Sequence, residues 1–282
     1  MHLDRWVVCG LLLSSIASIA SASAQDVGEE GAPVPPPPPA ELPPPPMATA
    51  PVAPANPTPP GSTVDRGIVE DANAGRSWVM PTALTEPAGT WSFSDYELFL
   101  VGLAYSPTDQ LSISATTLLP ITEDVPLVLL VNGKLQVIRS GRVRGAVQAA
   151  ITTVREDGDG ATAAVLGGVL TLCIDADCHS HFSGYLAAGF AHEDQSAVPF
   201  LVAGSLAYRL GKYVKVVLEA DSGFIAGEID VAADGFLGWY GVRFTSSIIG
   251  VDLGFAKPIC EDCDIGLPMG FPFVSFTYRS LP

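Results

Sequence analysis

The 282-residue chain carries 14 Lys+Arg against 30 Asp+Glu, a formal net charge of −16, and only 16% charged residues, against roughly 25% in ordinary soluble domains. Without a basic footprint it is no nucleic-acid binder, and with 48% apolar residues it is not wholly disordered. Beyond the first twenty-odd residues, no apolar run approaches the roughly 18 that a spanning helix needs, which excludes a helical membrane protein. A mean hydropathy of +0.35 is high for a chain with 25 prolines and 28 glycines.

In chain order, residues 1–24 read as a secretory signal. Arg5 gives the positive start, Trp6 to about Ile19 the apolar stretch, and Ala22-Ser23-Ala24 a small-residue cleavage site before Gln25. The alternative, a transmembrane anchor, is opposed by the short stretch and its serines. Cys9 falls inside the signal, leaving Cys173, Cys178, Cys260 and Cys263 in the mature chain. An even number suits disulfides in an exported protein. Residues 25–75 are expected to form a linker, because Pro33–Pro60 is nearly devoid of branched and aromatic residues and cannot build a core. Polyproline II is its natural state. It reads as a periplasmic spacer, or alternatively as a tether to the cell wall or a ligand for a proline-reading domain.

Residues 76–282 read as all-β. About twelve segments with period-two alternation are predicted, near 77–84, 91–105, 110–120, 126–139, 142–154, 161–174, 179–192, 197–210, 212–222, 235–245, 247–257 and 270–279. In one of them Leu127, Leu129, Val131, Leu135 and Val137 face away from Asn132, Lys134 and Gln136. Most segments are long enough for tilted strands to cross a bilayer. Alternate connections are short, while the others are longer and acidic, with Glu123 and Asp124, Glu193 and Asp194, or Glu261, Asp262 and Asp264. Short turns on one rim and longer loops on the other predict an antiparallel up-and-down transmembrane β-barrel of ten to twelve strands, both termini on the short-turn side. A soluble secreted β-sandwich stabilised by disulfides is the competing fold.

Tyr105-Ser106-Pro107-Thr108-Asp109-Gln110-Leu111-Ser112 resembles the tight Tyr-Gly-x-Thr-Asp-x-Leu-Ser turn of predicted bacterial outer-membrane β-barrel proteins, an uncharacterised porin-like family. Ser106 stands where that family has glycine, and Leu281-Pro282 where it has a terminal aromatic residue. The resemblance implies the bacterial outer membrane and names no substrate.

The strand phases turn Lys134, Arg144, Lys215, Arg243 and Arg279 into the lumen together with Glu219, Asp221 and Asp252. Mixed signs on one inner face point to ion pairs, either as the selectivity lining of a small channel or as part of a lumen packed shut. Cys173 and Cys178 flank four residues, as the two ends of a hairpin disulfide would. Cys260 and Cys263 could close on each other or remain a dithiol. A soft-metal site joining both pairs with His179 and His181 would require opposite rims to meet. His181-Phe182-Ser183 puts a histidine and a hydroxyl on one strand face, as lipid-A deacylating barrels do, but at the rim away from outer-leaflet lipid. Asp157-Gly158-Asp159-Gly160 begins like a calcium loop and lacks the later ligands.

The expected function is a non-catalytic barrel without cofactor, a narrow channel for small solutes, or else a structural or surface-contact protein. Its expected partners are outer-membrane lipid, the cell wall through the Pro-rich segment, and divalent cations or lipopolysaccharide at the acidic loops.

Overall fold

Alternation of apolar and polar residues over runs of ten or so positions can satisfy two different faces only as a strand. The chain does this twelve times. The computed structural model describes residues 70–97, 99–119, 126–156, 159–191, 198–226, 236–259 and 268–280. The signal, the proline-rich stretch, Cys260, Cys263 and most of the acidic loop residues lie outside these. The strands are β1 (Trp91–Tyr96), β2 (Leu100–Tyr105), β3 (Leu111–Leu118), β4 (Leu127–Ser140), β5 (Val143–Glu156), β6 (Asp159–Cys173), β7 (His181–Ala191), β8 (Val198–Arg209), β9 (Val214–Ala226), β10 (Phe236–Thr245), β11 (Ile249–Ile259) and β12 (Phe271–Arg279). Each pairs antiparallel with its neighbours in sequence, and β1 closes on β12 through pairs such as Phe93↔Tyr278, giving a closed barrel. The soluble sandwich is therefore excluded. No helix occurs among the described residues.

Two predicted strands are corrected. Residues 77–84 are not a wall strand: Pro81 interrupts the run and removes a ladder donor, and the segment lies inside the barrel. Residues 91–105 are two strands, β1 and β2, because the chain reverses at Glu97, whose φ is 56°. Nothing around Glu97 carries the glycine, proline or asparagine that ordinarily marks a reversal. One strand lost and one gained leaves the count at twelve.

The predicted phases agree with the wall. Ile113, Leu129 and Ile151 point outward and are 45–54% exposed, as are Leu186 at 61% and Leu166 at 62%, the last in a strand whose phase the sequence leaves open. On the inside sit Lys134, Gln148, Thr171, Ser205 and Asp252, all buried. A continuous exposed apolar surface of this extent has lipid as its complement. Exposed aromatic residues gather at its two edges: Trp91, Tyr105, Tyr208, Tyr213 and Tyr278 near one rim, Phe99, Phe190 and Phe236 near the other. Such girdles mark the two membrane–water interfaces.

Connections at the rim where β1 begins and β12 ends are residues 106–110, 141–142, 174–180, 210–213 and 246–248; we call this the turn rim. The far rim has 119–126, 192–197, 227–235 and 260–270, but also the short 97–99 and 157–158. The asymmetry expected from sequence thus holds for four of the six far connections.

Candidate functional site: the lumen and the segment folded into it

Residues 70–90 enter the lumen from the turn rim, reverse near Trp78–Val79, and return to the same rim. The reversal is a small hairpin: Ser77 N–H donates to Met80 O (2.9 Å), Thr82 N–H to Gly75 O (3.1 Å), and Arg76 bridges Pro81. Its outgoing end is fixed where Ala72 N–H donates to Ser246 O (3.1 Å). Its returning end is fixed by Gly89 N–H to Ser106 O (2.8 Å) and by Ala88 N–H to Asp109 Oδ1 (2.8 Å).

The family-like turn has a physical role here. Thr108 Oγ1 accepts from the Leu111 N–H (3.1 Å) and so caps the turn, while Asp109 holds the returning arm. Ser106 has no left-handed backbone, so glycine is not required at that position.

The inward charges expected to line a channel instead grip this hairpin. Glu219 accepts three successive backbone N–H groups at its tip, from Trp78 (2.8 Å), Val79 (3.2 Å) and Met80 (3.2 Å). Lys134 donates to the carbonyls of Gly75 (2.9 Å), Thr82 (2.9 Å) and Leu84 (2.6 Å), filling all three ammonium donors. Lys215 pairs with Asp71 at 2.7 Å. Arg243 pairs with Asp252 at 2.6 Å and donates to the carbonyls of Asn73, Arg76 and Ser77. Asp252 also receives Arg76 at 3.4 Å. Arg279 reaches Glu70 (2.8 Å) and Glu86 (2.5 Å).

Two of the expected lumen residues do something else. Asp221 accepts from the Trp239 indole N–H at 2.7 Å, within the wall. Arg144 lies at the turn rim, where its guanidinium donates to Gly141 O and Val143 O of its own hairpin.

Apolar packing follows the same plan. Trp78 is 1% exposed, donates to Val217 O (3.0 Å), and meets Phe273 edge-on with ring centroids 5.6 Å apart. A Cβ at Gly254 would stand 2.6 Å from the Trp78 ring, and one at Gly250 would stand 2.7 Å from the Asn73 amide. These two positions on the inner face of β11 therefore need glycine so that the hairpin can lie against the wall.

The hairpin packs on β9–β12 and, through Met80, Ala83 and the Lys134 and Thr171 contacts, on β4–β8 as well, and leaves space along Ala72–Arg76 and at its tip, Val79–Pro81. A cavity of about 270 Å³ lies there, walled by inward residues of β1–β6 such as Ser112, Ser114, Asn132 and Gln148 and, on the hairpin, Asn73 and Arg76. Tyr96, Trp239 and Phe273 border it as well. Arg76 stacks over the Tyr96 ring, 4.6 Å from its centroid.

Cys173 and Cys178 form a disulfide across the turn-rim connection. That connection is capped by Asp175, whose carboxylate accepts from the His179 and Ser180 N–H groups at 2.7 Å each. Cys260 and Cys263 fall outside the described residues; β11 ends at Ile259 on the far rim, opposite Cys173. No metal-binding group of three or more His, Cys, Asp or Glu occurs among the described residues. His181 and Ser183 share an inward face without forming a dyad: Ser183 Oγ is 2.8 Å from Thr171 Oγ1, and His181 Nδ1 is 3.3 Å from Cys178 O.

The sequence missed the hairpin itself. Glu70, Asp71, Arg76 and Glu86 were the available signal, since such charges have no place on a lipid-facing strand.

No protein-family model matches the chain, and no curated protein matches it. Among solved structures it is similar to the KdgM porin in complex with disordered oligogalacturonate, at 8% identity and a TM-score of 0.47, over 68% of this chain and 98% of that one. It is also similar to LpxR from Salmonella typhimurium, at 8% identity and a TM-score of 0.39, over 68% of this chain and 100% of that one. Salmonella typhi OmpF in complex with daunomycin follows at 11% identity and a TM-score of 0.34, over 64% of this chain and 62% of that one. Likenesses this distant carry nothing about substrate or activity; the barrel is established by its own strand pairing.

Proposed function

We propose that the protein is a non-catalytic barrel of the bacterial outer membrane, a narrow channel for small solutes whose lumen is restricted by residues 70–90. The location is supported by the closed barrel, its exposed apolar wall and its two aromatic edges, which together match outer-membrane barrels. Lipid is the partner of that wall. The observation that carries the channel reading is the unfilled part of the lumen, a cavity of about 270 Å³ lined largely by apolar side chains, with hydroxyl and amide groups of β1 and β3–β5 set among them. A barrel whose only task was structural would gain nothing from leaving that space unfilled, since interiors are otherwise closely packed.

Planar-bilayer recording and liposome swelling test this reading. The full-length protein should pass small solutes weakly, and deletion of residues 70–88 should raise conductance several-fold. If the deleted, still folded barrel passes no more than background, the lumen is not a solute pathway and the barrel is structural. The dense bonding of the hairpin is what favours that second reading.

A further inference from the structure

The cavity beside the hairpin has a chemistry of its own. Its charged neighbours are already engaged. Lys134 directs its three N–H donors at hairpin carbonyls, and Arg76 donates to Trp78 O, Asp252, Ser275 and Thr277. Other polar atoms facing this space are buried and accept nothing from the described protein: Asn73 Oδ1, Asn132 Oδ1 and Gln148 Oε1. Asn73 and Gln148 are only 2% and 7% exposed. A buried carbonyl oxygen left without a donor is costly, so the cavity calls for a guest that supplies donors.

The choice among guests follows from sign and orientation. The amide N–H of Asn73 is taken by Asp252 at 3.3 Å, which fixes its oxygen as the free group. A hydroxylated anion could donate to it, but its carboxylate would meet Arg76 and Lys134 already engaged by the protein. A cation would have to approach the guanidinium of Arg76 and the ammonium of Lys134, both at the cavity wall, where the carboxylate of Glu86 is already paired with Arg279. The amides of Asn132 and Gln148 can present either end, and the serine hydroxyls both donate and accept. A neutral molecule bearing several hydroxyl groups satisfies all of them, whichever way the amides turn. Tyr96, Trp239 and Phe273 add a wall for its C–H faces. The volume, about 270 Å³, is near the lower end of small-molecule sites, roughly 300–1,000 Å³.

We infer that the lumenal cavity is a binding site for a small neutral polyhydroxylic compound, of monosaccharide or polyol size, held by Asn73, Asn132 and Gln148. This rests on the reading of the lumen as a solute compartment and names the class of solute.

The test titrates the full-length protein in detergent micelles with D-glucose, glycerol and sodium gluconate, following the fluorescence of the tryptophans beside the cavity and the heat of binding. Glucose should give a saturable signal and gluconate one at least tenfold weaker. Gln148→Leu should weaken glucose about tenfold while the unheated gel mobility stays that of a folded barrel. If that variant does not fold, Ser112→Ala takes its place, with weakening in the same direction. Gluconate binding as tightly as glucose would overturn the inference. So would a linear response to both glucose and glycerol, because the space would then hold water alone. Liposome flux separates this from the channel reading: saturable binding without flux sinks only the channel, and flux without saturable binding sinks only the site.

Discussion

Glu219 concentrates the logic of the lumen in one side chain. A carboxylate inside a barrel wall is costly unless its oxygens are filled, and here three consecutive N–H groups of the hairpin tip fill them. Glu219→Ala leaves those three donors without a partner, at about 1–3 kcal/mol for an unsatisfied group. The expected result is release of the tip, read as faster proteolysis between residues 70 and 90 with the barrel intact. Arg144→Ala should leave that protection unchanged, because among the described residues Arg144 bonds only its own turn. The inward phase of Glu219, Lys134 and Arg243 was legible in the alternation of their strands. Their partners were not, since the hairpin has no period to read and its contacts lie far away in sequence, from 50 positions for Lys134 with Leu84 to 170 for Arg243 with Asn73.

A second residue-scale prediction concerns acid and the 174–180 turn. Burial pushes the Asp175 carboxyl up, but the N–H donors of His179 and Ser180 outweigh this and hold it below its ordinary 3.8. Burial, helped by the charge of Arg209, holds His179 below its ordinary 6.5. Both groups have folded values lower than unfolded ones, so both make the unfolded turn bind protons first as pH falls. The contribution of His179 is present above pH 6.5 and declines below it; that of Asp175 is lost only further down, below 3.8. Amide exchange at His179 and Ser180, corrected for its intrinsic pH dependence, should therefore quicken between about pH 7 and pH 5. A flat corrected profile over that interval would rule the account out.

At the scale of elements, the hairpin and β11 are fitted to each other through glycine. At Gly254 a Cβ would also lie 2.4 Å from the Tyr240 carbonyl, so substitution there disturbs the wall itself. At Gly250 the only close neighbour is the Asn73 side chain, which makes it the better probe. Gly250→Val should dislodge the outgoing arm while leaving the β10–β11 ladder paired. Conductance should then rise towards that of the hairpin deletion, and a trace identical to wild type would mean that the arm can shift without opening the lumen. Ten of the wall strands were visible in the sequence because nearly all alternate for many residues; β6, with Ala, Leu, Gly and Val on both faces, shows its extent but not its phase. The β1–β2 reversal was not, because its turn is built from Tyr96 and Glu97 rather than from turn-forming residues. The lumenal hairpin reads as a strand because Trp78, Val79 and Met80 are apolar, and apolar residues packed inside a barrel look the same in sequence as residues facing lipid.

For the molecule as a whole, the deciding property is the direction in which apolar residues point. A soluble barrel would tolerate a charge on its outer wall, whereas a membrane barrel tolerates one only near the interfaces. Leu166, at the middle of β6 and 62% exposed, and Leu210, at the turn rim and 63% exposed, are equally accessible and differ in depth alone. In a bilayer, arginine at the midplane costs about 2–4 kcal/mol and near the interface about 0–1 kcal/mol. Leu166→Arg should therefore lower the unfolding midpoint of the bilayer-inserted protein markedly, while Leu210→Arg should leave it nearly unchanged. Denaturant titration in liposomes measures both variants against wild type. Equal, small effects would mean that depth is irrelevant and the outer wall does not face lipid. A large effect confined to Leu166 would place the wall across the bilayer and the hairpin inside a membrane-spanning lumen.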